Sequence, residues 1–321
     1  MIFYNIQHFG DGQHLPSLAQ LLGHEGNHLS VSLDADISTL AQVKSSFSAS
    51  TQMLRSFDIS NSAPLSWGGI SITRNMLEQV NRALQTPDWS YFVNLSGDCL
   101  PLMSQKDIFK LLNFRWANDG KRSFCYSFTP KLAKHWFSVS GDKNPQPVNY
   151  GRALFDLEPG LARSLERGHF DPSKLIMQRI AASYTEKSKG EFLVRGLSID
   201  ELKQRLEFFA ENDFRVGRQW VVLHRSHAEW LANSEDVKKL MELLKSCFIS
   251  DESFFQMALF SSFHKDRHSV ENRSLRLNEG GASLLSASAA SAALDSGCIF
   301  GRKTPAKERA QCYALLSQRI A

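Results

Sequence analysis

The sequence lacks the short motifs that most often reveal an enzyme class. It contains no GxGxxG turn, no GxxxxGKT loop and no GxSxG elbow. These absences argue against dinucleotide-dependent oxidoreductases, P-loop nucleotide hydrolases and serine hydrolases. It also contains no run of about 18 apolar residues, so it predicts no transmembrane helix.

Cysteine is scarce, and the cysteines are scattered. The 321 residues include five cysteines, an odd number without a CxxC pair. This usage is typical of reduced, mostly buried thiols in a reducing compartment. The opening segment MIFYNIQHFG has no basic region before its short apolar stretch and does not resemble a signal peptide. We therefore expect a cytoplasmic protein.

Charge of one sign is not concentrated in any segment. The formal net charge is +4, from 37 Lys and Arg against 33 Asp and Glu, and no long basic block is present. Nucleic acid is therefore not an expected partner. An anionic substrate, or peripheral contact with an acidic membrane surface, is compatible with this balance.

The sequence does contain a regular alternation of strand and helix patterns over about residues 1–115. Apolar runs at residues 1–6, 28–33, 53–59 and 90–95 alternate with helical patterns at 14–22, 37–47 and 66–84. Such alternation is typical of βα units. We expect an α/β fold, a mostly parallel central sheet flanked by helices within a single large domain.

Carboxylates follow two of the predicted strands. Asp34 and Asp36 come after the second strand, and Asp98 follows Ser96 and Gly97. Open α/β sheets bind ligands beyond the carboxyl ends of their strands, and carboxylate oxygens there could hold Mg²⁺ or Mn²⁺. Aspartate is also common in turns, so a structural role is the alternative.

A possible zinc group is formed by His264, Asp266 and His268. The two histidines are four residues apart, as they would be on one face of a helix. However, the sequence offers neither an HExxH motif nor an obvious further ligand. We therefore do not expect zinc there.

The pair Asp251-Glu252 lies between apolar flanks and has two interpretations. Ser250 could cap a helix whose first turn carries both carboxylates, which is a structural role. Alternatively, one carboxylate could act as a general base in a cleft. The local pattern leaves both open.

Two basic residues, Arg302 and Lys303, lie between a small-residue tract and the predicted C-terminal helix, with Arg273 and Arg276 upstream. As isolated cations they would be ordinary solvated surface charge. Brought together, they could clamp a diphosphate in place of a metal ion.

Seven segments, taken in order, resemble one enzyme family. They are residues 21–38 (LLGHEGNHLSVSLDADIS), 65–84 (LSWGGISITRNMLEQVNRAL), 89–108 (WSYFVNLSGDCLPLMSQKDI), 216–231 (VGRQWVVLHRSHAEWL), 247–259 (CFISDESFFQMAL), 272–277 (NRSLRL) and 298–304 (CIFGRKT). The family is that of the core-2/I-branching β-1,6-N-acetylglucosaminyltransferases, with the peptide O-xylosyltransferases as relatives. The resemblance implies a GT-A-like fold for one domain, 1–321. About residues 1–115 would form its nucleotide-sugar-binding half, and about residues 116–321 its acceptor-binding and catalytic half.

The resemblance also implies roles for the donor side of the site. Glu252 corresponds to the family's catalytic base. Arg276 and Lys303 correspond to the residues that hold the nucleotide diphosphate, and Arg302 lies beside them. Asp34 would lie near the nucleotide base.

Other matched positions border the cleft or face the acceptor. Trp67 and Asp98 belong to the segments that line the donor cleft. Gln219 and Trp220 would form part of the acceptor wall, and Asp251 would contact the acceptor as a lesser role beside its helix.

The function implied is that of an inverting glycosyltransferase that needs no divalent metal and no other cofactor. The donor would be a UDP-sugar carrying GlcNAc or xylose, and the acceptor a hydroxyl of a glycan or lipid-linked oligosaccharide. We expect a bacterial-type enzyme of surface polysaccharide synthesis, located in the cytoplasm or at the inner face of the plasma membrane.

The sequence departs from the family pattern near its end. Gly301 and Thr304 replace an alanine and a phenylalanine, and residues 278–280 lack the expected aromatic residue. The acidic residue Asp98 directly follows Gly97, one place earlier than usual. These departures leave an alternative open, which is a non-catalytic relative that binds a nucleotide-sugar or carbohydrate.

Overall fold

The computed structural model describes most of the N-terminal third of the chain and several later stretches. The described residues are 1–47, 50–62, 65, 70–114, 122–128, 208, 212, 215–244, 250–278, 285–286, 289–290, 294 and 297–320. Trp67 and Cys247 lie outside these residues. So does the segment 202–212, for which the sequence predicts a helix, apart from Phe208 and Asn212.

The described elements alternate in the first third of the chain, as predicted. The strands are β1 (Ile2–Phe9), β2 (His24–Asp34), β3 (Leu54–Asn61), β4 (Tyr91–Ser96), β5 (Leu100–Pro101), β6 (Ser123–Phe128), β7 (Val216–His224), β8 (Val270–Glu271), β9 (Arg276–Asn278) and β10 (Phe300–Arg302). The α-helices are α1 (Leu15–Leu21), α2 (Ile37–Ser46), α3 (Ile70–Leu84), α4 (Gln105–Phe114), α5 (Arg225–Asn233), α6 (Glu235–Leu244), α7 (Phe254–Phe260) and α8 (Arg309–Ile320). Short 3-10 helices cover Ser250–Glu252, Arg267–Ser269 and Ala306–Glu308.

Seven strands form the main sheet, in the order β3-β2-β1-β4-β7-β6-β8. Four of its strand pairs among the described residues are parallel, and only β7 runs antiparallel to both of its neighbours. A small second sheet has the order β5-β10-β9. The predicted α/β class and GT-A-like arrangement, a mostly parallel central sheet flanked by helices, are confirmed. The division into two functional halves stays a prediction.

Helices cover both faces of the main sheet because successive strand residues point to opposite faces. Tyr91 and Val93 of β4 pack in a core shared with α1, α2, α4 and α8. Phe92, between them, packs in a second core shared with α3, α5, α6 and α7. Each such side chain contributes about 1.5–3 kcal/mol when fully buried.

Polar side chains are built into the interface between the sheet and α3. Ser30 and Ser32 of β2 donate hydrogen bonds at 3.1 Å to Gln79 and Asn75 of α3. Asn5 of β1 donates to an amide oxygen on β4 at 2.8 Å. Because buried polar groups need partners, these bonds fix the position of α3 over the carboxyl ends of the strands.

The helix predicted to begin at Asp251 begins later. Ser250–Glu252 form a 3-10 turn, and α7 starts at Phe254 after Ser253, whose φ of −129° interrupts the helix. Ser250 is therefore not the N-cap of α7. Its hydroxyl lies 2.9 Å from the hydroxyl of Thr73 on α3, and this long-range bond was not visible in the local pattern.

The described cysteines are Cys99, Cys125, Cys298 and Cys312, and all four are free thiols. No helix in the described part of the chain combines the length and apolarity that a membrane crossing requires.

A buried pair of histidines lies between α5 and the segment that follows α7. His227 and His264 are 1% and 2% exposed, and their rings meet edge to face at 5.1 Å. Ser123 Oγ lies 2.6 Å from His227 Nδ1, and His264 Nδ1 lies 2.8 Å from the carbonyl oxygen of Leu259. Burial, followed by the neighbouring His264, lowers the pKa of His227 from 6.5 to about 4.

This pair predicts acid sensitivity of the fold. Between pH 6.5 and about 4 the unfolded chain protonates His227 and the folded chain does not, so stability falls as the pH falls. The variant His227→Asn keeps an acceptor for Ser123 but cannot titrate. Between pH 6.5 and about 4, its unfolding free energy should therefore fall by about 1–3 kcal/mol less than that of the unmodified chain. Urea unfolding at a series of pH values measures the difference. The exposed-site variant His24→Asn should match the unmodified chain, and an equally steep fall in His227→Asn would refute the assignment.

A second prediction concerns the close approach of β6 and β7 at Gly217. A Cβ at Gly217 would lie 1.9 Å from the carbonyl oxygen of Tyr126 and 2.9 Å from Gln256 Cγ. Because backbone must move to admit a methyl group, Gly217→Ala should cost about 1–3 kcal/mol of unfolding free energy. Denaturant unfolding measures it, with Gly26→Ala as control since its Cβ would meet only side chains, Met1 at 3.0 Å and His24 at 3.5 Å. Equal midpoints for the two variants would contradict the prediction.

Candidate active site

The ends of the parallel strands bring several predicted residues to one edge of the main sheet. β1, β2 and β4 run toward this edge, and the antiparallel β7 begins there. Asp34 closes β2, and Gln219 and Trp220 lie in the first part of β7. Ligand-binding crevices of open α/β sheets lie at such edges, so this edge is the candidate active site.

The two acidic residues after β2 have different surroundings. Asp34 Oδ2 accepts a hydrogen bond from the backbone N–H of Leu65 at 2.9 Å. Asp36 caps α2, where its Oδ1 accepts from the backbone N–H of Thr39 at 2.7 Å. This bond lowers the pKa of Asp36. Asp36 therefore serves the helix, as the structural alternative predicted, and only Asp34 remains a candidate for ligand contact.

Asp98 lies against residues 298–304, here called the closing segment. Its carboxylate accepts a hydrogen bond from Arg309 of α8 at 2.5 Å and lies 3.6 Å from Lys303 Nζ. The Asp98 side chain is 15% exposed, whereas that of Lys303 is 56% exposed. The structure thus brings the predicted residues Asp98 and Lys303 together and leaves the ammonium group accessible at the edge.

Arg302 is held beside Lys303 by contacts with both β4 and β7. Its Nε donates to Ser96 Oγ at 3.3 Å, and its guanidinium lies 4.9 Å from the ring centroid of Trp220. A guanidinium over an aromatic face is attracted to the ring electrons. Arg276 is on the neighbouring strand, where it pairs with Phe300, but its side chain lies outside the described part, as does all of Trp67.

A narrow cleft with a cavity volume of about 20 Å³ lies near Arg302, whose aromatic partner Trp220 forms part of its wall. It runs between the main sheet and the small sheet, and its walls include Trp220 of β7, Phe300 of β10, Leu275 and Arg273.

Glu252 and Asp251 lie on the opposite face of β7. Their 3-10 turn packs against β7 and α3, and the bond between Ser250 and Thr73 ties the turn to α3. Asp251 is buried at 6% exposure, whereas Glu252 is half-buried. Glu252 is therefore the more accessible of the two carboxylates.

The first half of β7 is held in place by hydrogen bonds to neighbouring elements. Gln219 Nε2 donates to Gln7 Oε1 of β1 at 3.1 Å. Gln256 of α7 donates to the carbonyl oxygen of Arg218 at 2.7 Å. Gln219 and Trp220 are adjacent in the strand and so face opposite sides, toward Met76 of α3 and toward Arg302 respectively.

The departure from the family pattern at Gly301 has a packing reason. A Cβ at this position would lie 2.6 Å from Leu285 Cδ2. The small residue thus admits Leu285 to the core beneath the closing segment, where it is 4% exposed. This contact does not distinguish an active from an inactive protein.

Several supporting residues were missed in the sequence. Arg309, Ser96 and Thr73 make their contacts across more than half of the chain, with partners 211, 206 and 177 positions away. No local motif marks such pairs. Gln7 had a visible signal, because it is one of the polar residues that interrupt a mostly apolar strand.

Two solved structures are weakly similar to this chain. The apo form of mouse xyloside xylosyltransferase 1 is 8% identical with a TM-score of 0.35, over 96% of this chain and 99% of that one. A cytidylyltransferase from Leptospira borgpetersenii serovar Hardjo-bovis is 13% identical with a TM-score of 0.24, over 65% of this chain and 93% of that one. At these TM-scores neither likeness carries an argument. No curated protein matches the chain significantly.

The family comparison is much more informative. The model of the Core-2/I-branching enzyme family matches residues 2–135 and 182–280, more than half of the chain. The matched residues include Asp34, Asp98 and Glu252, and the match ends before Arg302 and Lys303. With a mostly parallel sheet whose edge gathers these side chains, the chain belongs to the Core-2/I-branching enzyme family and is a glycosyltransferase.

Proposed function

We propose that this glycosyltransferase moves GlcNAc or xylose from a UDP-sugar to a hydroxyl of a glycan acceptor, with inversion and without a metal ion. One observation carries the proposal. A basic pair, Arg302 and Lys303, is anchored on one face of β7, and the half-buried Glu252 lies on the other. Cations for a departing diphosphate and a base for an attacking hydroxyl are thus carried by segments that pack on the two faces of β7.

The donor side supplies positive charge where the leaving group would develop negative charge. Arg302 is oriented by Ser96 and Trp220, and Lys303 by Asp98. Cations held in place before the reaction need little reorganisation as charge builds on the diphosphate. Arg276 would join them from the neighbouring strand, since its backbone pairs with Phe300. In this proposal these cations take the role that a divalent metal has elsewhere.

The acceptor side supplies the base. Glu252 would remove the proton of the acceptor hydroxyl while its oxygen attacks the anomeric carbon. The bond from that carbon to the diphosphate oxygen breaks, and UDP leaves from the opposite side. The bond between Ser250 and Thr73 restricts the turn that carries Glu252, which favours a fixed distance between base and substrate.

The remaining predicted residues would recognise the substrates. Asp34, at the end of β2, would contact the nucleotide base, and Trp67 would border the donor cleft together with Asp98. Gln219 and Trp220 would form the acceptor wall. Asp251 is buried, so its contribution would be to shape the turn and, to a lesser degree, to contact the acceptor.

We further propose a bacterial-type enzyme of surface polysaccharide synthesis. It would act in the cytoplasm or at the inner face of the plasma membrane, where a lipid-linked oligosaccharide could serve as acceptor. The absence of a basic block argues against nucleic acid as a partner. A non-catalytic relative that only binds a nucleotide-sugar is the alternative, and the experiments below separate the two.

The variant Glu252→Gln tests the base. It should lower kcat by about 10²–10⁴-fold because proton removal is lost. Affinity for UDP should be unchanged because the diphosphate contacts remain. UDP release from UDP-GlcNAc and UDP-xylose, with a panel of glycan acceptors, measures turnover, and calorimetry with UDP measures binding.

The matched control for this experiment is Glu235→Gln, an exposed carboxylate of α6 outside the site, which should behave as the unmodified chain. Turnover in Glu252→Gln close to that of the control would remove Glu252 from the mechanism. UDP binding by the unmodified chain without turnover on any acceptor would favour the non-catalytic alternative.

The variant Lys303→Met tests the diphosphate clamp. Loss of a charged hydrogen bond should weaken UDP binding by about 10- to 100-fold, whereas Lys307→Met, an exposed lysine four positions later, should have no effect. Transfer by the unmodified chain should persist in EDTA. Activity that disappears in EDTA and returns with Mn²⁺ would contradict the metal-independent mechanism.

A further inference from the structure

Three metal-ligating side chains gather on the turn that follows β1. His8, Asp11 and His14 each place one ligand atom so that all three atoms lie within 4.8 Å of one another. Within the described ranges, no other group of three His, Cys, Asp or Glu residues meets this condition. In particular, His264 is buried against Trp230, with ring centroids 4.0 Å apart, and does not form such a group with Asp266 and His268.

His14 is oriented as a metal-binding histidine is. Its Nε2 lies 2.9 Å from the carbonyl oxygen of Gly97 and so donates its proton there. Ligating histidines commonly direct one ring N–H to a backbone carbonyl, which fixes the tautomer and leaves the other nitrogen as the ligand. The free lone pair is then on Nδ1, which accepts a hydrogen bond from Arg309 at 3.1 Å.

His8 is held in place by packing. A Cβ at Gly97 would lie 2.4 Å from His8 Nδ1, so the imidazole lies directly against the glycine. Its ring meets that of His14 edge to face, with centroids 4.9 Å apart. The imidazoles of His8 and His14 are thus both held by Gly97, in the turn after β4, without a bound ion.

Asp11 completes the group from the solvent side. It is exposed, and it lies between Gly10 and Gly12, whose φ angles are 108° and 61°. This left-handed backbone is readily adopted by glycine, and it turns the loop back toward the histidines. The exposed carboxylate gives an ion a path from solvent.

We propose that His8, Asp11 and His14 bind a divalent transition-metal ion such as Zn²⁺. Two imidazoles and one carboxylate suit Zn²⁺, Co²⁺ or Ni²⁺ better than Mg²⁺ or Ca²⁺, which prefer oxygen ligands. A water molecule would take the remaining position. On binding, Arg309 gives up its bond to His14 and keeps the one to Asp98. The ion takes no part in the sugar transfer proposed above.

The test uses the full chain, freed of any affinity tag and stripped with a chelator. Equilibrium dialysis against ZnCl₂ should yield about one bound ion per chain at this site. Titration with CoCl₂ should produce the visible absorption of Co²⁺ held by nitrogen and oxygen ligands. Asp11→Asn and His8→Asn should each weaken binding at least about tenfold, since changes even to residues around a metal's ligands cost 10–100-fold. His268→Asn, at an exposed histidine, should leave it unchanged.

No Zn²⁺ bound by the unmodified chain would overturn the proposal, as would binding that survives Asp11→Asn and His8→Asn at full affinity. Because Asp11 is exposed, its variant keeps the test valid if His8→Asn disturbs folding. The result is independent of the proposed transfer reaction. Activity in EDTA reports on the reaction alone, and dialysis reports on the metal site alone.

Discussion

The position of Lys303 depends on the carboxylate of Asp98. This group, 15% exposed, accepts a hydrogen bond from Arg309 and attracts Lys303, while its backbone carbonyl accepts from the amide of Thr304 at 3.3 Å. A largely buried charge left without a partner costs several kcal/mol. The turn after β4, the closing segment and the last helix are therefore tied together. The accessible ammonium group of Lys303 lies at the sheet edge because Asp98, which attracts it, is itself held by Arg309 of α8.

Much of the fold could be predicted because its signals are local. The apolar runs of β1, β2 and β4 and the helical spacing of α3 each fall within one short segment, and their alternation alone favours parallel pairing. The start of α7 was predicted wrongly for a related reason. A serine followed by two carboxylates is a good capping pattern, but the hydroxyl of Ser250 bonds to Thr73, 177 positions away. The tertiary contact outweighed the local preference.

The site was less predictable than the fold, because motifs identify residues without showing what orients them. The resemblance marked Asp98, Arg302 and Lys303, yet gave no sign that Arg309 would share Asp98 or that Trp220 would lie under Arg302. These contacts join segments separated by 80 to 211 positions, and spacing in sequence carries no information about them. One hint was present, since polar residues that interrupt an apolar strand, such as Asn5 and Gln7, need buried partners.

The alternation of side chains along β7 gives a physical reason for the arrangement of Glu252 and Arg302. Gln219 faces α3 and the turn with Glu252, and its neighbour Trp220 faces Arg302. Adjacent strand residues must point to opposite sides. Gln219 and Trp220 therefore point to the two faces of β7 on which Glu252 and Arg302 lie. An inverting displacement needs the nucleophile and the leaving group on opposite sides of the anomeric carbon. In the proposed reaction the sugar would therefore lie at the edge of the sheet, where groups from both faces of β7 can reach it.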